Sequence, residues 1–368
     1  MGPVHHTAGT LDGEAEFVAG VFSSDPQKSK QSGYRFSLDP ARVYADYHQM
    51  AAGEASLPAA ERIDFVSIIT PNIYHFEMAK TFLKNGFHVI CEKPMTCTSA
   101  EAKELGRIVK QTGRVFALMH SYTGYPMVKQ ARNLVHDGLL GIINKIVVDY
   151  SQGWLSPFLE GNNQQSRAEI WRLDPKQTGL SCAMADIGVH AENLVRYITG
   201  LRIEELSADL SAFIPGNRLD VDGGLLVRFQ GGARGVFNVS QISTGERNRF
   251  QIRVYGTEGS LGWNHEDPEH LVVKPANGQT IIYSEGSPLL CDDARKASRL
   301  PAGHPEGIIG AIANIYAEAY RAMRAPRKGE ARPAYDFPTV EDGVVGMSFI
   351  ETAIASTNSR YKWTRMRN

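Results

Sequence analysis

Between Asp64 and Met119 the chain repeats one pattern: a short apolar run, a turn, a stretch of helical period, then the next apolar run. Asp64–Thr70 (DFVSIIT) and Phe87–Cys91 (FHVIC) read as buried strands, and Val115–Met119 as another. Between the first two, the spacing predicts a helix over Asn72–Asn85, with Asn72 as N-cap and Gly86 just past its end. Phe76, Ala79 and Leu83 fall on one face of it. Thr98 and Glu101 form a capping box that opens a second helix, ending near Gly113. Strands too close for long excursions, joined each time by a helix, fit a parallel sheet with right-handed crossovers. An earlier run, Glu16–Phe22 (EFVAGVF), reads as a further short strand.

After about residue 121 the grammar changes. A helix over Pro126–His136 precedes a strand over Asn144–Gln152, a polar loop over Pro157–Gly179 and a helix over Ala185–Thr199. The rest is mostly hairpins: Leu225–Gln230 turns at Gly231-Gly232 into Gly235–Ser240, and Asn277-Gly278 links Leu271–Lys274 with Thr280–Tyr283. Strands joined by tight turns must be antiparallel. Helices over Ile308–Met323 and Val340–Thr357 close the chain. The predicted class is α/β, with a parallel sheet in residues 1–121 and an α+β domain with a mostly antiparallel open sheet in residues 122–368.

Composition removes several functions. The formal net charge of -1 over 368 residues gives no overall attraction to nucleic acid or to an anionic membrane. No apolar run approaches the roughly 20 residues that span a bilayer, and Met1–Gly13 lacks the pattern of a secretory signal. Cys91, Cys97, Cys182 and Cys291 are scattered with no Cys-x-x-Cys pair, which points to reduced thiols in the cytoplasm and to no metal site.

Three constellations carry the chemistry. Thr70-Pro71-Asn72-x-x-His75 sits where a buried strand meets a helix, the edge of an open α/β sheet at which ligands bind. Glu92-Lys93-Pro94 follows the next strand and emerges at the same edge. Asp186-x-x-x-His190 opens the helix of the second domain, its spacing of four placing carboxylate and imidazole on one face, a pairing suited to a general base. Alone, each has a plain structural reading, respectively an N-capped helix, a solvated turn and a surface i,i+4 hydrogen bond.

Together and in this order they resemble the Gfo/Idh/MocA oxidoreductases. Gly256-Thr257-Glu258-Gly259-Ser260, Trp171-Arg172 followed by Gly179, and His304-Pro305-Glu306-Gly307 extend the resemblance. It implies a Rossmann-like first domain, a nicotinamide cofactor, NAD(P), and oxidation of a secondary alcohol on a sugar, cyclitol or polyol. It also implies roles: Lys93 near the nicotinamide and the reacting hydroxyl, His190 accepting the hydroxyl proton, and Asp186 binding a substrate hydroxyl or orienting the site. Thr70, Pro71, Asn72, His75, Glu92, Lys93 and Arg172 would face the cofactor, with Ser23, Ser24 and Lys28 at its ribose. Tyr122, Trp154 and Arg172 would line the substrate cleft. A homo-oligomer, a dimer or tetramer built on the open sheet, is implied as well. Two other activities occur on this fold and stay open on sequence: an NAD-dependent glycosidase and a non-catalytic ligand-binding regulator.

The resemblance starts partway into the family pattern. Met1-Gly2-Pro3-Val4-His5 aligns with the beginning of the first helix, and no G-x-G-x-x-G precedes Glu16. Such a turn lets backbone N–H groups and a helix N-terminus hold a pyrophosphate. The expectation is a natural start upstream of Met1, encoding the first strand and its turn. The competing reading is a chain that begins here and holds the dinucleotide poorly.

Overall fold

The computed structural model describes residues 1–160, 171–331 and 333–367. The part of the predicted Pro157–Gly179 loop that spans residues 161–170 lies outside them. Helices α1 (Gly2–Thr10), α2 (Pro26–Arg35) and α3 (Tyr47–Ser56) lead into β1 (Phe65–Ile68), α4 (His75–Lys84), β2 (His88–Glu92), α5 (Ser99–Thr112) and β3 (Phe116–Met119). These strands form a parallel sheet in the order β1-β2-β3. The capping box is formed: Glu101 N–H donates to Thr98 Oγ1, and Thr98 N–H to Glu101 Oε2. Gly113 ends α5 with φ +62°, the left-handed region that favours glycine.

Glu16–Phe22 is not a strand. Only Gly20 forms a ladder contact, an isolated parallel bridge to Val43. An apolar pattern creates a strand only where a neighbouring backbone accepts its hydrogen bonds. Here the segment is held instead by side chains, with Phe17, Phe22, Phe36 and His6 packed edge to face, tilted or stacked.

The second half contains α6 (Pro126–His136), β4 (Ile143–Ser151), the single turn α7 (Pro175–Thr178), α8 (Val189–Thr199), β5 (Ile203–Ser211), β6 (Asp222–Phe229) and β7 (Arg234–Ser240). It continues through β8 (Arg249–Gly256), β9 (Gly259–Asn264), β10 (Asp267–Pro275), β11 (Ile281–Ser284), α9 (Asp292–Lys296), α10 (Gly307–Arg324), α11 (Val340–Thr357) and β12 (Thr364–Arg365). Its sheet runs β11-β10-β9-β8-β4-β7-β6-β5-β12. Every adjacent pair is antiparallel except β4 and β7. The Gly231-Gly232 and Asn277-Gly278 turns lie where the sequence places them, with Gly231, Gly232 and Gly278 all at positive φ. At Gly256 a Cβ would sit 2.0 Å from the Leu140 carbonyl oxygen, so the β8–β9 hairpin needs glycine for close approach.

The two halves do not fold side by side as closed units. On one face of the β1-β2-β3 sheet, Ile90, Val115, Ala117 and Met119 pack against Ile312, Ile315, Tyr316 and Ala319 of α10, with Ala8 of α1 in the same cluster. Val89, Cys91, Phe116 and Leu118 alternate to the other face, toward Phe82, Leu83, Leu105 and Ile108 of α4 and α5. A helix from the far end of the chain thus supplies half the core of the first sheet. No helix among the described residues is long and apolar enough to cross a membrane.

Candidate active site

The carboxyl ends of β1, β2 and β3 release Thr70-Pro71-Asn72, Lys93-Pro94 and His120 at one edge of the sheet. His75, fully buried, ties the first two loops together: Nδ1 lies 2.8 Å from the Pro94 carbonyl oxygen and Nε2 2.8 Å from that of Thr70. Burial pushes its pKa down, so the neutral ring donates to one carbonyl at a time. Asn72 does not cap the helix. It opens a 3-10 turn before α4, and its Nδ2 donates to the Thr178 carbonyl (3.0 Å) and Thr178 Oγ1 (3.2 Å), joining the first half to α7. An exposed cap would leave those buried acceptors unpaired, so the longer-range bond wins.

Lys93 reaches across to the second half. Its Nζ donates to the Asp186 carbonyl oxygen at 2.5 Å and to Asp186 Oδ1 at 2.8 Å. The other carboxylate oxygen, Oδ2, accepts from Gln241 Nε2 at 2.8 Å and has Arg172 Nε at 3.5 Å. Burial opposes the charged form of Asp186, but the adjacent Lys93 and Arg172 outweigh it and hold the carboxyl below the ordinary carboxylate range. The side chains of Lys93 and Asp186 keep 14% and 19% exposure, enough to meet a ligand from solvent.

The expected Asp186–His190 pairing is not formed. Residues Met184–Gly188 make a π turn before α8, which changes the angular offset between positions four apart. Asp220, itself buried, fixes that turn by accepting from Ser181 Oγ (3.0 Å), Cys182 N–H (3.2 Å) and Met184 N–H (2.8 Å). His190 instead has its Nδ1 3.3 Å from Nδ1 of His120. The Tyr122 and His190 rings are set edge to face, centroids 4.9 Å apart. Burial, then the nearby Lys93 charge, pushes the His190 pKa well below its usual value, leaving the imidazole neutral at pH 7. Tyr122 is buried, with its hydroxyl 2.5 Å from that of Tyr150.

Other anticipated residues have settled partners. Glu92 turns from the edge and accepts from His5 Nε2 at 2.8 Å, and the Lys93 N–H also donates to it. Burial raises its pKa, but His5 and Lys93 pull it further down, for a net lowering. Trp154 Nε1 donates to Gln152 Oε1 at 3.0 Å, and the Arg172 guanidinium lies over the Trp154 and Trp171 rings at 5.9 and 4.8 Å. Ser23, Ser24 and Lys28 flank the start of α2, where Asp25 takes the N–H groups of Gln27 and Lys28. Ser24 and Lys28 are exposed.

Sequence reasoning missed Gln241, Asp220 and His120. Nothing local marks the first two. His120, however, directly follows an apolar strand, as Lys93 does, and the rule that found Lys93 points to it.

Residues 1–120 match the model of an oxidoreductase family with an NAD-binding Rossmann fold, and residues 128–262 match the C-terminal domain of Gfo/Idh/MocA proteins. An oxidoreductase of Bacillus subtilis, YfiI, is 31% identical over 98% of this chain and 93% of its own length. The chain belongs to the Gfo/Idh/MocA oxidoreductases. An inositol dehydrogenase homolog of Azotobacter vinelandii, solved with NAD+, superposes with a TM-score of 0.93 at 31% identity, covering 99% of this chain and 93% of that one. An oxidoreductase from Sinorhizobium meliloti gives 0.87 at 39% identity over 98% of this chain and 96% of its own. This chain presents a cation, Lys93, at the strand mouths and exposed hydroxyl and amine groups, Ser24 and Lys28, at the start of α2.

Proposed function

We propose that this Gfo/Idh/MocA oxidoreductase reversibly oxidises a secondary alcohol on a sugar, cyclitol or polyol with NAD(P). The observation that carries the reading is the contact between Lys93 from the first half and Asp186 from the second, with His190 beside them. A bound nicotinamide supplies the hydride acceptor. Lys93 places its ammonium beside the reacting oxygen, where it favours the alkoxide-like charge that develops there. His190, neutral through burial, takes the hydroxyl proton. Asp186 aims Lys93 and leaves lone pairs for a substrate hydroxyl. Arg172 and Trp154 offer a guanidinium and an apolar ring face to the substrate, and Tyr122 backs the His190 ring.

Toward the cofactor, Thr70 and Pro71 line the mouth, which His75, Asn72 and Glu92 hold in shape from behind through Pro94, Thr178 and His5, with Ser23, Ser24 and Lys28 at the cofactor's ribose. Relatives support the substrate class: the A. vinelandii homolog was solved with NADH and myo-inositol, and a Pseudarthrobacter phenanthrenivorans relative, 30% identical over 59% of this chain, is a levoglucosan dehydrogenase. A cytoplasmic homo-oligomer completes the reading. The support for the oligomer is the face of the long sheet that no described residue covers, where Leu226 is 47% exposed and Val147, Val236 and Tyr255 are half-buried.

The test is NAD(P)H formation, followed by absorbance, with myo-inositol, scyllo-inositol, levoglucosan and D-xylose. Turnover is expected with at least one, falling about 10²- to 10⁴-fold in His190→Ala. Full activity in His190→Ala refutes the proton-transfer role. Release of a leaving group from an aryl glycoside without net reduction would identify a glycosidase. Binding with no turnover would identify a sensor.

A further inference from the structure

His120 is buried to 1% exposure at the end of β3, and its Nε2 is a fully buried nitrogen with no hydrogen-bond partner. Leaving such an atom unpaired costs about 1–3 kcal/mol, so an apolar residue would be the cheaper occupant for stability alone. Among the described residues the ring's one polar contact is Nδ1 to Nδ1 of His190, at 3.3 Å, the rings set edge to face at 5.2 Å. Its backbone is held independently: the His120 carbonyl accepts from Thr123 N–H (3.1 Å) and Thr123 Oγ1 (3.0 Å).

Two neutral imidazoles in contact through Nδ1 have two arrangements. In one, His120 donates, and His190 must carry its proton on Nε2. In the other, His190 donates from Nδ1, and its Nε2 holds a lone pair. Among the described residues nothing hydrogen-bonds His190 Nε2, whereas Asp186, the group expected to orient the ring, is taken up by Lys93, Gln241 and Arg172. Only the second arrangement gives a base whose free lone pair faces away from the pair.

We propose that His120 is a positioning residue that accepts the Nδ1 proton of His190 and so fixes the tautomer in which His190 Nε2 can take a proton from substrate. The proposal rests on the reading of His190 as the base. When the substrate hydroxyl proton arrives at Nε2, the Nδ1–H stays bonded to His120, and the positive charge is shared across that bond. Both rings stay neutral beforehand: burial leads in each case, with Lys93 and His265 also facing His190, and Asp342, Arg196, Lys93 and Glu92 around His120, whose pKa is pushed down to about 3. His120 thus stands where a carboxylate orients the base in a Ser-His-Asp triad, without bringing a negative charge.

The decisive measurement is the imidazole ¹⁵N spectrum of the ligand-free protein with ¹⁵N-labelled histidine, assigned through His190→Ala and His120→Leu. His190 is expected to show a protonated Nδ1 and a bare Nε2, and in His120→Leu to shift toward protonated Nε2. With myo-inositol and NAD+ as probes, kcat of His120→Leu should fall about 10²- to 10⁴-fold, the range for losing a general base or its tautomer, with KM little changed. His120→Asn, whose Oδ1 can accept the same proton, should recover at least about a tenth of wild-type kcat. A protonated Nε2 on wild-type His190, or an unchanged tautomer in His120→Leu, overturns the proposal. If His120→Leu does not fold, the wild-type spectrum and His120→Asn decide it. Undiminished turnover in His190→Ala would instead remove the base reading and leave the tautomer result standing.

Discussion

Lys93→Met removes the ammonium while keeping an unbranched side chain in the same channel, so it isolates the charge that links the two halves. The structure sets two magnitudes. Lys93 makes two contacts, to the Asp186 carbonyl at 2.5 Å and Oδ1 at 2.8 Å. Breaking a fully buried ion pair costs about 3–5 kcal/mol because the abandoned charge has no partner. Asp186 would not be abandoned, since Gln241 stays at 2.8 Å and Arg172 at 3.5 Å. Both paired side chains also keep some solvent contact. The expected loss of stability is therefore smaller, about 1–3 kcal/mol. That is a fraction of the roughly 5–15 kcal/mol of a folded protein, so the variant remains folded at 25 °C. Its rate should fall further than its stability suggests: losing a group aimed at developing oxyanion charge costs about 10²- to 10³-fold in kcat. Urea unfolding gives the first quantity and initial rates of NAD(P)H formation with myo-inositol the second. A folded Lys93→Met protein with kcat within about threefold of wild type refutes the reasoning. So does a variant that loses rate only in proportion to its unfolded fraction.

Asp220→Ala strips three donors of their acceptor at the start of the π turn and should cost about 2–4 kcal/mol by urea titration, from two orphaned N–H groups and a hydroxyl; a change below about 0.5 kcal/mol would show that the turn is held by packing alone. Acid should destabilise the fold through two signs that agree. His120 and His190 have folded pKa values below the unfolded 6.5, so the stability they confer is present above that pH and declines as pH falls below it. Asp186, also depressed, adds its loss below about pH 4; thermal melts between pH 8 and 4 that show no decline from pH 6.5 downward would contradict the burial of the two neutral rings. Lys28→Ala should raise KM for NADP+ several-fold while leaving that for NAD+ nearly unchanged, since only the former carries a 2′-phosphate. Equal effects on both would place Lys28 away from the ribose.

Much of this enzyme is legible in its sequence because the signals are local. The strands at Phe65, His88 and Phe116 follow from apolar runs of the right length, the helix at Ser99 from a capping box formed within four residues, and the hairpins from glycines at positive φ. Lys93 follows from the same local logic: a polar residue just past the carboxyl end of a buried strand emerges at the mouth of the sheet, whereas Glu92, the last residue of that strand, finds its partner in His5 instead. Glu16–Phe22 failed the test because a strand is a property of two backbones, and the apolar pattern describes only one.

What only the tertiary structure decided are the partners across long separations. Spacing of four suggests that Asp186 and His190 pair with each other, yet their hydrogen bonds go elsewhere: Asp186 to Lys93, 93 residues away in sequence, and His190 to His120, 70 away. Likewise no periodicity in β1, β2 or β3 says that α10 covers one of their faces. Side-chain type and spacing fix what a segment can offer. Which buried charge or imidazole finds which partner is settled by desolvation, and desolvation exists only once the chain has packed.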